Sequence, residues 1–172
     1  RVHQIIEQGR PEFSAIGEGF GPPDPEVAAM SQHYQAANSA YYVLEAQQQV
    51  WGCAGIAEFD AATATCELRK LFVSPQARGQ GYGRALAEHC LKQAQALGYQ
   101  QCYLDTLSTM KQAIGLYQDL GFEHLTTPFA ASEHSVVGFI PDLRRGRDFD
   151  NFQKVEFGCG VFFTAHNQNI FE

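Results

Sequence analysis

A chain of 172 residues is long enough for one domain with a substantial core, and 45% hydrophobic with 18% charged residues is ordinary for a soluble globular protein. No apolar run approaches the ~18 residues of a membrane span. The formal net charge of -7 argues against broad nucleic-acid binding, suits a cationic partner, and requires that any phosphate site be built locally.

Residues 2–7 read as a short helix that Pro11 limits, and residues 17–25 as a Gly/Pro-rich loop. Asp24-Pro25 resembles an N-cap with proline at the first helical position, and Val27, Met30 and Tyr34 follow at helical spacing. Residues 40–45 and 50–59 read as the two strands of a hairpin, broken by the polar residues 47–49. After a turn at 60–65, residues 66–73 form a third strand that Ser74-Pro75 ends. A glycine-rich turn at 78–83 leads into a helix with Leu86, Cys90, Leu91, Ala94 and Leu97 on one stripe, stopped at Gly98. Residues 101–107 read as a strand and 109–120 as a helix with Ala113, Ile114, Tyr117 and Leu120 on one face. Residues 122–125, 135–140 and 157–164 read as further strands. The order indicates a mixed sheet in one α/β domain. Cys53, Cys66, Cys90, Cys102 and Cys159 form no CxxC pair, so reduced, packed thiols are expected rather than a zinc site.

The turn carries the chemistry. A strand enters through Phe72-Val73, Gly79, Gly81 and Gly83 alternate behind Arg78, and a helix leaves. Glycine lets main-chain N–H groups crowd around a ligand, and a helix N-terminus adds free donors and the positive end of its dipole. Together these suit phosphate or diphosphate. Arg78 and Arg84 add positive charge. Two phosphate motifs are excluded. No Lys-Ser or Lys-Thr follows the glycines, and the last position of GxGxxG falls on Arg84 or Leu86. The glycines alone also fit a tight turn with no ligand.

Arg78-x-x-Gly81-x-Gly83 resembles the [Gln/Arg]xxGx[Gly/Ala] motif of the GNAT acetyltransferases, as does the preceding strand 66–75. So does Ala113-Ile114-Gly115-Leu116-Tyr117-Gln118-Asp119-Leu120-Gly121-Phe122 some thirty residues on. The likeness spans residues 40–125. It implies a single-domain GNAT-like fold: a mixed, twisted central sheet flanked by helices, with strands 67–73 and 101–107 splayed to form a coenzyme A cleft. Acetyl-CoA would be cosubstrate, with no metal. Its pantetheine arm would pair with main chain near Phe72 and Val73. Its diphosphate would sit on the N–H groups of Gly79, Gln80, Gly81, Tyr82, Gly83 and Arg84, beside Arg78.

The resemblance implies acetyl transfer to a primary amine by direct attack on the thioester. A noncatalytic acyl-CoA sensor on the same fold, or a phosphate-binding module unrelated to CoA, is the alternative. Tyr117 matches the family's proton donor to the departing thiolate, and its other reading is a core aromatic. Glu67 has the spacing of a strand-borne base, and its other reading is a carboxylate paired with Arg69 or Lys70. A strand N–H near Val73 would serve the oxyanion. His89 is expected at the surface. Asp105 faces the acceptor or caps a turn, and His124 and His134 are expected as loop residues. Arg144-Arg145-Gly146-Arg147 reads as a solvated turn. The acceptor is expected to be a small molecule rather than a protein, with no nucleic-acid or membrane partner. The expected location is the cytoplasm, since no leader is evident and the missing initiator Met fits a processed or trimmed start. Residues 1–143 are expected to form the domain, with the family's N-terminal strand absent or replaced. Residues 144–172 would be an extension that adds a strand or joins a homodimer interface.

Overall fold

A computed structural model describes Ile5, Tyr34 and residues 36–125, 135–140, 142–143 and 161–165, the main chain alone for 135–139 and 161–165. Within these, β1 (Ala40–Ala46) and β2 (Gln49–Asp60) form an antiparallel hairpin. Its two turn residues, Gln47 and Gln48, both take positive φ, 53° and 63°, the backbone twist that a two-residue hairpin loop needs. β3 (Thr65–Val73) pairs antiparallel with β2. Next come α1 (Tyr82–Ala96), β4 (Gln101–Leu107), α2 (Lys111–Asp119), β5 (Glu123–His124), β6 (Ser135–Ile140) and β7 (Val161–Ala165). They make one seven-stranded sheet in the order β5-β6-β4-β3-β2-β1-β7. β3 and β4 are parallel, so the chain between them must cross over the sheet, and α1 is that crossover.

Two irregularities in β3 shape the molecule. Arg69 lies opposite Gly55, but Phe72 lies opposite Cys53. Lys70 and Leu71 therefore face a single β2 residue, and Lys70 sits at φ 51°. This bulge bends the strand and re-aims its last residues. The parallel pairing with β4 is also short: Thr65 with Gln101, Cys66 with Cys102 and Glu67 with Tyr103. β4 itself continues to Leu107 in register with β6. From Leu68 and Leu104 onward the two parallel strands have no rung between them, which is the splay that the resemblance implies.

The core lies mainly between α1 and one face of the sheet. Leu86, Ala87, Cys90, Leu91 and Ala94 of α1 pack on Tyr42, Leu44, Ala54, Ile56, Cys66, Leu68, Cys102 and Leu104, all buried. The other face carries a smaller cluster of Tyr34, Tyr41, Val43, Val50, Cys53, Ala57 and Ile5. Cys53, Cys66, Cys90 and Cys102 are buried free thiols, and Cys159 lies outside the described residues.

Several boundaries move from their sequence expectation. α2 starts at Lys111 rather than residue 109, because Met110 and Lys111 N–H groups bond to the Leu107 and Thr109 carbonyls and close a tight turn first. β5 has two residues rather than four. β7 covers 161–165 and pairs with β1, and the rest of the expected strand 157–164 lies outside the described residues. So do the helix over 25–34 apart from Tyr34, the helix over 2–7 apart from Ile5, the loop over 17–25, the basic run at 144–147, and His134. Leu143 is fully buried, and its N–H donates to the Gln100 carbonyl at 2.7 Å.

Gly52 lets α1 and the bulge meet the sheet. A Cβ there would stand 2.8 Å from Leu86 Cδ1 and 2.9 Å from the Phe72 carbonyl oxygen. Gly52→Ala is expected to destabilise the fold by about 1–3 kcal/mol, the usual range for overpacking. Urea denaturation measures it, and an unchanged midpoint would show that the helix has room to yield.

Candidate functional site

The open end of the fork is a cleft of ≈ 260 Å³. β3 supplies Leu71, Phe72 and Val73. The following turn supplies Ala77, Arg78, Gly79, Gly81, Tyr82, Gly83 and Arg84, and the start of α2 supplies Met110, Gln112, Ala113 and Leu116. Each element arrives for a local reason. Pro75 begins a 3-10 turn, Pro75–Ala77, that carries the chain off the strand. Gly79 and Gly81 then take φ of 76° and 84°, a region that L side chains rarely occupy. That reversal sets Gly81 as the N-cap of α1.

The main chain of this turn leads directly into the N-terminus of α1. The first bond into α1 runs from Ala85 N–H to the Gly81 carbonyl at 3.0 Å. The first turn of a helix generally leaves N–H groups without an acceptor inside the helix, at the end where its dipole is positive. No residue of this turn supplies a side-chain cap. A helix N-terminus of this kind favours an anion such as a diphosphate, which accepts several hydrogen bonds at once. Gly83 lines the cleft with ordinary room around it, since a Cβ would meet Leu116 at 3.6 Å and Val73 at 3.7 Å.

The arginines differ from the expectation of free local charge. Arg78 Nε donates to the Val73 carbonyl at 3.3 Å, which ties the turn to the strand end. Arg84 Nη2 donates to Asp119 Oδ2 at 2.9 Å, and Nη1 lies 3.7 Å from Glu88 Oε1. Gln80 does not line the cleft: it is exposed, and its side-chain amide donates to the Gln76 carbonyl at 3.2 Å.

Tyr117 and Glu67 do not line the cleft either. Tyr117 is buried one turn behind the lining Ala113, edge-on to Phe122 with centroids 5.7 Å apart. Burial, helped by the Cys90 and Cys102 thiols, pushes its hydroxyl well above the ordinary tyrosine range and keeps it protonated. Glu67 is ion-paired to Arg69 and stands on the last rung between β3 and β4, opposite Tyr103. Burial raises the Tyr103 hydroxyl to about 12, and the Asp105 and Glu67 carboxylates add to the rise, so these three groups lie close together at the fork. Phe59 stacks on Tyr103 at 4.4 Å.

His89 is not a surface residue as expected. It is half-buried, edge-on to Tyr42 at 4.5 Å, and burial followed by the Lys92 charge lowers its pKa. His124 is exposed. The lining residues that sequence reasoning left out of the site are Leu71, Ala77, Met110, Gln112, Ala113 and Leu116. The only signal for Ala113 and Leu116 was their place in the 113–122 segment. Met110 carried none. Among the described residues no helix is long and apolar enough to cross a membrane, and no three His, Cys, Asp or Glu side chains cluster as metal ligands.

Two of the three cleft glycines, Gly81 and Gly83, should respond oppositely to alanine. Gly81→Ala is expected to lower stability by about 1–2 kcal/mol, because its φ is left-handed. Gly83→Ala is expected to be neutral or stabilising by up to about 1 kcal/mol, as for glycine in a helix. Thermal denaturation of both variants checks the contrast, and equal losses would contradict it.

Comparison with known proteins agrees with this geometry. The profile of the acetyltransferase (GNAT) family matches residues 4–122. The chain is 33% identical to the uncharacterized N-acetyltransferase YjgM of Escherichia coli (strain K12) over 135 residues, 77% of this chain and 81% of that protein. It is 36% identical to N-acetyltransferase 8B of Homo sapiens over 88 residues, 49% of this chain and 39% of that one. Its fold resembles a GNAT-family acetyltransferase of Staphylococcus aureus Mu50, with a TM-score of 0.70 and 18% identity over 83% of this chain and 91% of that one. It also resembles a phosphinothricin acetyltransferase of Sinorhizobium meliloti solved with AcCoA. There the TM-score is 0.61 and the identity 25%, over 82% of this chain and 83% of that one. With a forked sheet, a donor-lined turn at the fork and these relatives, the chain belongs to the GNAT family and is an acyl-CoA-dependent N-acyltransferase.

Proposed function

We propose that this enzyme transfers the acetyl group of acetyl-CoA to a primary amine of a small, cationic molecule, by direct attack of the amine on the thioester. The observation that carries the reading is the run of main-chain donors from Gly79 to Arg84 at the mouth of the fork. In this reading those donors hold the diphosphate. The main chain of Phe72 and Val73 faces the pantetheine arm in this reading, since both residues line the cleft. The thioester supplies the activated acyl group, and the protein's task is to move protons and exclude water around it.

Tyr117 is the proton donor to the departing sulfur in this scheme. Its raised pKa keeps the hydroxyl protonated across the working pH range. Glu67 is the proposed base. Its carboxylate lies at the fork, and its ion pair with Arg69 holds it in one orientation. An amine at lysine-like pKa of ~10.4 arrives protonated and must lose a proton to such a group, directly or through water. A main-chain N–H of β3 near Val73 is the proposed donor to the oxyanion. The acidic balance of the chain, -7 overall, favours a cationic acceptor over an anionic one. Residues 1–143 constitute the proposed catalytic domain, and 144–172 an extension.

Release of free thiol from acetyl-CoA, followed across a panel of small amines, diamines and peptide amines, tests the function. Turnover is expected with at least one small cationic amine, and silence across the whole panel would reject the reading. Tyr117→Phe is expected to lower kcat by about 10²-fold or more with the Kd of acetyl-CoA held within about twofold. Unchanged kcat would remove Tyr117 from the chemistry. The raised Tyr117 pKa means that its deprotonation sets no alkaline limb below pH ~10. In Glu67→Gln the acid limb of kcat/KM is expected to vanish or move, and a limb left in place would point to another base.

A further inference from the structure

Arg84 belongs to the cleft wall, yet its side chain is held by two carboxylates of different kinds. Glu88 lies one turn along α1, its side chain only 15% exposed. Its Oε1 is closed off from solvent and makes no hydrogen bond among the described residues, so the nearby guanidinium is what offsets its desolvation. Asp119, the last residue of α2, is 68% exposed and receives Nη2 at 2.9 Å. A carboxylate so exposed exchanges a protein partner for water at little cost, and such pairs contribute roughly 0–1 kcal/mol. The two contacts therefore differ in strength. The inner one keeps the guanidinium beside the cleft, and the outer one is readily given up.

The geometry points to Asp119 as a residue that sets affinity for the nucleotide end of the acyl donor, by occupying the Arg84 nitrogen that a phosphate oxygen would otherwise take. This rests on the proposed acetyl-CoA site. On binding, Nη2 leaves Asp119 for a phosphate oxygen, and Glu88 retains Nη1 through the i,i+4 spacing on α1. The guanidinium suits the exchange, because its planar fork serves carboxylate and phosphate alike and its charge does not titrate. Asp119 thus acts as a positioning residue, two places after Tyr117 on the same helix, and the contact also fastens the end of α2 to the start of α1 in the absence of ligand.

The test is calorimetric binding of CoA and of dephospho-CoA to the full chain, in the wild type, Asp119→Asn, Arg84→Ala and the double variant. Asp119→Asn is expected to tighten CoA roughly two- to fivefold, the range that loss of one exposed ion pair allows. In the Arg84→Ala background the same substitution is expected to change nothing. Equal tightening of both ligands assigns the contact to the diphosphate, and tightening of CoA alone assigns it to the ribose phosphate. An unchanged or weaker affinity in Asp119→Asn overturns the inference, as does a gain that persists without Arg84, since that would be general charge repulsion. Failure of the wild type to bind either ligand would instead reject the proposed function itself.

Discussion

Three rungs join β3 to β4, and then the pairing stops. Unpaired main chain in a sheet interior is costly unless something else satisfies it. Both flanking strands nevertheless remain anchored, β3 to β2 and β4 to β6, so the gap cannot close by collapse of either side. The bulge at Lys70 and Leu71 falls within the unpaired stretch, where added twist turns the last residues of β3 away from β4. The cleft, its donor-lined mouth and the placement of α2 all result from that local loss of pairing.

The electrostatic design answers a problem that the composition poses. A chain of net charge -7 must hold a polyanion. In the proposed site it would do so with main-chain dipoles, whose charge neither titrates nor counts in the balance, at a helix N-terminus. The two arginines of the turn have partners already: Arg78 braces the strand end, and Arg84 bridges α1 and α2. Positive charge at the mouth is therefore conditional on what else competes for it.

The two proposed catalytic side chains sit behind the cleft rather than in its wall. Tyr117 is buried among thiols and aromatics, which explains its high pKa and also makes it part of the core. The packed-aromatic reading of that residue holds, and its role as proton donor is the proposal. Glu67 likewise has the ion pair with Arg69 that was its other reading, and it stands at the fork, where the proposal makes it the base. Residue type and spacing could nominate these two side chains, but only the sheet register places Glu67 at the last rung.

Local chemistry was legible from the residues. Glycines at 79 and 81 meant left-handed turns, Ser74-Pro75 meant a strand end, and the apolar stripe from Leu86 to Ala94 meant a helix on a sheet. Those signals depend on neighbours within a few positions, so the sequence by itself determined the order of elements from β1 to α2 and the glycine-rich turn before α1. The features it left open depend on partners far along the chain. Met110 enters the cleft wall and Arg84 finds Asp119 35 residues away, while Gly52 gives way to Leu86. The helical stripe holding His89 also gave no hint that Tyr42 would cover it. Only the tertiary structure decided where β3 and β4 part, since that point is set by competition between ladders on either side of each strand, and no single segment encodes the outcome.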